Sequence, residues 1–182
     1  MSKFYKASKN TRSKKVLLRK GEQKNDQHWK SAEGVAVCPD CKNVLFKKEW
    51  HHSDSKALGK DFFSKKEFDK KEHHFRQCPA CKMIKEGLYE GEITIKNVSV
   101  NYKDDVLNTI KAFAERELKK DPQSRIIRIR KDRESFNVTT TENQLAVRIA
   151  KHLHKTFKKS NLSISHSKEP YEVSRVELVF MK

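Results

Sequence analysis

The sequence predicts an α+β protein, in which a four-cysteine zinc module is followed by a ferredoxin-like βαββαβ domain. Three observations carry this expectation. All four cysteines of the 182-residue chain fall in two Cys-Pro-x-Cys fragments, at Cys38, Cys41, Cys78 and Cys81. Residues 92–182 read as strand and helix periodicities in the order β-α-β-β-α-β, with room for one extra strand. The first thirty residues hold too few large apolar side chains to bury a core. The chain therefore divides into a basic tail (1–30), a zinc-binding module (31–91) and an α+β domain (92–182).

Two thiolates separated by two residues grip one ion from a tight turn. A second such turn completes a tetrahedron of soft sulfur ligands, which suits a single structural Zn²⁺. Two unrelated reduced pairs or a redox dithiol are the competing readings, but no thioredoxin-like helix opening surrounds either pair. "GVAVCPDCKNVLFKKEW" reads as strand, knuckle, strand. Phe62, Phe63, Phe68 and Phe75 punctuate the charged segment that follows and are expected to pack a small core. "CPACKMIKEGLYEG" begins as a knuckle opening a short helix, which stops at Gly87 and Gly91. This order is treble-clef-like, with a zinc ribbon as the alternative.

In the second region "EITIKNVSV" alternates as a strand. "KDDVLNTIKAFAERELKK" then places Val106, Leu107, Ile110, Phe113, Ala114 and Leu118 on one helical face. Asp104 and Asp105 at its start and Lys119 and Lys120 at its end complement the helix dipole. Asp121-Pro122 ends it. "RIIRIRKDRESFNVTTT" reads as two strands joined near 131–135, with Arg128 and Arg130 on one face, opposite Ile127 and Ile129. "TENQ" reads as a capping box in which Thr141 caps the next helix and Gln144 reaches back. That helix turns Leu145, Ile149, Leu153 and Phe157 inward. "NLSIS" and "YEVSRVELVF" supply one or two final strands.

The formal charge is +17, with 36% of residues charged and 35% hydrophobic. Such an excess points to a polyanionic partner, nucleic acid before membrane. Lys3, Lys6, Lys9, Arg12, Lys14, Lys15, Arg19 and Lys20 fall in the first twenty residues, without an acid among them. Aromatic residues interleave with these cations, a composition that suits RNA, although a tail that only solubilises would share it. The second helix carries Arg148, Lys151, His152, Lys155, Lys158 and Lys159 on its outer face, and no acid follows Glu142 there. A solvated face normally mixes signs, so these cations, with Arg128 and Arg130, are expected to contact RNA phosphates.

His51, His52, His73 and His74 flank the cysteines. "EWHHSDS" loosely resembles the zinc-stapled element of HNH nucleases, but "KEHHFRQCPAC" lacks the expected asparagine segment. Four thiolates already saturate zinc and leave no position for a catalytic water. No Gly-rich phosphate loop, nucleophile triad or paired carboxylates stand out. A non-enzymatic protein without a small-molecule substrate is therefore expected; a metal-dependent nuclease or a DNA-binding zinc regulator is the alternative. No apolar run could span a bilayer, and the N-terminus lacks the apolar stretch of a secretory signal. A cytoplasmic monomer that does not engage a membrane is expected.

CPDC, "KKEW", CPAC and "VTTTENQLAVRIAKHLHKTF" together resemble the nonsense-mediated-decay-protein-three family, or small zinc proteins related to it, over residues 35–160. Thr140, Thr141, Leu145, Ala146, Arg148 and Ile149 form the most particular part of the likeness. The resemblance implies association with the ribosome through ribosomal RNA, in subunit assembly, stress or hibernation. The chain has one set of four cysteines where that family has more, and it is much shorter. An export-adaptor role is therefore not implied.

Overall fold

A computed structural model describes residues 35–58, 73–167 and 172–181. The basic tail, and with it every predicted RNA contact from Lys3 to Lys20, lies outside the described residues, as do Phe62, Phe63 and Phe68. The fold is α+β, with two mixed sheets and three α-helices among the described residues.

Four three-residue strands form the first sheet: β1 (Val35–Val37), β2 (Val44–Phe46), β3 (Glu49–His51) and β4 (His73–Phe75), in the order β3-β2-β1-β4. β1 and β2 flank the first knuckle as antiparallel neighbours, and β4 runs parallel to β1. Lys47 and Lys48 join β2 to β3 with φ of 50° and 71°. Two left-handed residues in succession give the tight turn a two-residue hairpin needs, here without the usual Asn-Gly. Val35, Val44 and Leu58 are buried together, with Val37 and Phe46 packed against them. Phe75, expected in this core, is 79% exposed instead. It ends the edge strand of the sheet, where only β1 lies alongside.

Helix α1 (Pro79–Glu86) follows the second knuckle and closes on Gly87, whose φ of 68° favours glycine. The second unit contains β5 (Gly91–Lys96), α2 (Lys103–Lys120), β6 (Ile126–Lys131), β7 (Phe136–Thr140), α3 (Asn143–Thr156), β8 (Ser160–Ser167) and β9 (Val173–Phe180). Its sheet runs β6-β7-β5-β9-β8. A ferredoxin-like sheet has a single strand after its second helix. Here β9 follows β8, inserts between it and β5, and pairs parallel to β5. Apolar residues of α2 and α3 cover one face of this sheet, among them Ile110, Leu145, Ile149 and Leu153 against Ile93, Ile95, Val138 and Leu178.

Three local expectations change. A β-bulge between Ile126 and Arg128 shifts the pattern of β6, so that Ile126 and Ile129 pack on the core, and Ile127 does not. The capping box does not form. Glu142 occupies the N-cap without a side-chain bond, and the Thr141 hydroxyl is engaged by the 123–125 backbone. Leu118 is only half-buried, and Glu117 is buried beside it.

Glu117 is stabilised by ion pairs: Lys120 Nζ at 2.7 Å and Arg148 Nε at 3.0 Å. The hydrogen bond from Lys120, then the charge of Arg148, hold its carboxyl below the usual carboxylate range despite burial. A depressed folded-state value gives stability that is present above the unfolded value, about 4.3, and lost as pH falls through the folded one. Both partners are largely exposed, which screens the pairs. Glu117→Gln is therefore expected to cost about 1 kcal/mol near neutral pH. Melting curves of the two proteins should converge as pH drops below that range. A constant gap down to strongly acid pH would contradict an ionic origin.

Candidate metal centre

The backbone builds each half of the site. In the first knuckle the Lys42 N–H donates to the Cys38 carbonyl at 2.9 Å, and the Cys38 N–H donates to that of Asn43 at 2.8 Å. Lys42 closes the turn at φ 63°. In the second, Cys78 is the N-cap of α1, with Pro79 preset for the first helical position. The Cys81 N–H donates to Cys78 Sγ at 3.4 Å and the Cys78 N–H to Cys38 Sγ at 3.3 Å, so the two turns are stitched together through sulfur.

All four cysteines are free thiols, and their sulfurs lie within 4.8 Å of one another. Cys41 Sγ and Cys78 Sγ are 3.6 Å apart. Tetrahedral Zn–S bonds would place sulfurs about 3.8 Å apart, so the cluster fits such an ion with small adjustments. Cys38, Cys78 and Cys81 are buried, and Trp50 packs against the group. Burial pushes the thiols of Cys78 and Cys81 up. Burial acts the same way on Cys41, but hydrogen bonds, above all from Arg125, bring it down to about 7. Four crowded thiols cannot all ionise on their own; a divalent cation replaces their protons and allows it.

The histidines are not drawn into this cluster among the described residues. His51 meets Phe46 edge-on at 6.5 Å between ring centroids. His52 Nε2 lies 2.6 Å from the carbonyl oxygen of Leu118, near the C-terminus of α2, and so ties the two units together. His74 is exposed on β4.

The predicted phosphate contacts separate. Arg148 is not a free cation: it spans the helices to Glu117, and its Nη2 lies 4.0 Å from Glu142. The adjacent groove, of 430 Å³, is lined by Glu90, Glu117, Asp121 and Glu142 as well as Lys120 and Arg148. Burial, then the charges of Glu142 and Glu172, raise the Glu90 carboxyl. Lys151 and Lys155 are exposed on α3. Lys158 and Lys159 are exposed too, but the helix ends at Thr156 and they occupy the turn before β8. His152 stacks on Phe113 at 4.8 Å. Arg128 and Arg130 stand exposed on β6, on the side opposite Ile129. The basic groups thus form two patches, one on the helical layer and one on the open face of the sheet. No helix among the described residues is long and apolar enough to cross a membrane.

Arg125 reaches the cysteine cluster, a contact that sequence reasoning did not foresee: its Nη1 donates to Cys81 Sγ at 3.4 Å. As one of several basic residues around β6, it carries no spacing signal that links it to a cysteine 44 positions away. Comparisons with protein-family models, curated proteins and solved structures find no match for this chain.

Proposed function

We propose that this chain is a non-enzymatic RNA-binding zinc protein that associates with the ribosome through ribosomal RNA phosphates. The four-cysteine site holds one structural Zn²⁺ in a treble-clef arrangement, and the second unit is a ferredoxin-like domain with one additional strand inserted into its sheet. The observation that carries the RNA reading is that Lys151, Lys155, Lys158 and Lys159 of this +17 chain are all exposed and have no acidic partner among the described residues. Arg128 and Arg130 add a second patch on the sheet. Lysine suits contact with backbone phosphates more than the reading of base edges. The resemblance to the nonsense-mediated-decay-protein-three family supports the ribosome as the source of that RNA. Cytoplasmic location and a monomeric state belong to the same reading.

Phosphate contacts release condensed counterions, so affinity should fall steeply with salt. Lys151→Glu/Lys155→Glu is expected to weaken binding to purified ribosomes about tenfold or more and to flatten the salt slope. Removing residues 2–20, with their eight cations, should flatten it by several further units. Titrations at several salt concentrations, with the RNA checked for cleavage in Mg²⁺ afterwards, read both effects. Unchanged affinity in both variants, or RNA cut during the assay, would overturn the proposal.

A further inference from the structure

Four thiolates around a divalent ion carry two net negative charges, and burying such charge is costly without a partner. Three of the four sulfurs belong to buried residues. Backbone N–H groups from Cys78 and Cys81 answer part of the charge. A side-chain cation also reaches the sulfurs: Arg125, which comes from the other unit. It is not a loose surface arginine that happens to lie near. Its Nε donates to the Pro122 carbonyl at 2.7 Å, and its backbone N–H donates to Thr141 Oγ1 at 2.9 Å. Its carbonyl accepts from the Thr141 N–H at 2.9 Å. Two residues earlier, Gln123 Oε1 accepts the Ala80 N–H at 3.1 Å, in the first turn of α1. The 121–125 loop is thus fastened both to the second knuckle and to the start of α3.

We propose that Arg125 is an outer-sphere partner of the metal centre, its guanidinium holding the anionic metal–thiolate complex so that a residue of the second unit sets how tightly the first retains its ion. This rests on the four-cysteine site binding a divalent metal. Arginine suits the position, because it stays charged and presents several donors in a fixed fork. A donor and a positive charge at Cys81 favour the metal-bound thiolate over the competing thiol. Polar partners of metal ligands typically account for 10- to 100-fold in metal affinity.

The test compares full-length wild type, Arg125→Met and Arg125→Lys. Zn²⁺ affinity is measured by competition with a chromophoric chelator, and the sulfur-to-metal charge-transfer band is recorded on the Co²⁺-loaded proteins. Arg125→Met is expected to bind Zn²⁺ about tenfold or more weakly. Its Co²⁺ band should move to lower energy, because a thiolate that loses a donor and a cation is more easily oxidised. Arg125→Lys, which keeps the charge, should recover most of the affinity. Equal affinity and an unmoved band in Arg125→Met would overturn the proposal. Should that variant fail to fold with zinc present, Arg125→Gln, which keeps a donor without the charge, decides in the same way: weakened binding supports the proposal and equal binding ends it. A wild type that binds no metal would instead end the four-cysteine reading itself.

Discussion

Cys41→Ser is expected to release the metal and unfold the first unit while the second stays folded. Among the described residues, Val35, Val44 and Leu58 form the buried aliphatic cluster there. Each such side chain contributes roughly 1.5–3 kcal/mol, while ordering each residue's backbone costs about 1–2 kcal/mol. The cluster cannot hold its strands unaided, and apparent metal-binding energies of about 10–16 kcal/mol are the missing contribution. Cys41 Sγ lies 3.6 Å from Cys78 Sγ, across the junction between the two knuckles, so its loss opens that junction. Elemental analysis should fall from about one zinc per chain to near none after mild chelation. Circular dichroism should keep the signal of α2 and α3, which pack on a separate core. Undiminished zinc in the variant would refute the assignment of this ligand.

Gly91→Ala should be the most damaging single methyl group in the second unit. A Cβ there would collide with Thr140 Oγ1, lie 2.6 Å from the Ala146 Cβ and approach the Glu142 carbonyl oxygen to 2.8 Å. Two of those three neighbours belong to the turn into α3 and to the helix itself, so relief requires moving backbone. A cost of about 3 kcal/mol is expected, at the upper end for overpacking. In a unit of this size that lowers the melting temperature by more than ~10 °C. Gly87 provides the contrast: its φ is +68° but nothing lies within 4 Å of a Cβ. Gly87→Ala should cost only the conformational penalty, about 1 kcal/mol. Calorimetry that ranks the two variants the other way would contradict this account.

The elements that follow local rules were legible in the sequence. The apolar spacing from Val106 to Ala114 describes α2, and the Cys-Pro-x-Cys fragments describe the knuckles. The misses arise where a distant partner outbids a local one. Thr141 is capable of capping α3, but its hydroxyl is taken by the backbone of Gln123 and Arg125. Arg148 has no acid after Glu142 on its own helix, yet Glu117 reaches it from the neighbouring one. The bulge in β6 moves the inward position from Ile127 to Ile126, which alternation alone does not foresee. Gly91 reads as a helix stop, although its lack of a side chain serves the close approach of α3 to β5. Strand order is not a local property, and the insertion of β9 left no mark in the periodicity of its residues.

That insertion bears on how the chain finds its fold. β6 with β7 and β8 with β9 can each pair across a short connection, and two helices can begin alone. The parallel joining of β5 to β9 brings Gly91 to Ser174, about eighty positions along the chain, and its entropy of closure must be met before the central contacts form. Contacts between such distant segments slow folding. The interior of the sheet is therefore expected to assemble last, when a hairpin already formed enters beside β5 with one strand parallel to it, and that step rather than helix formation is expected to set the rate.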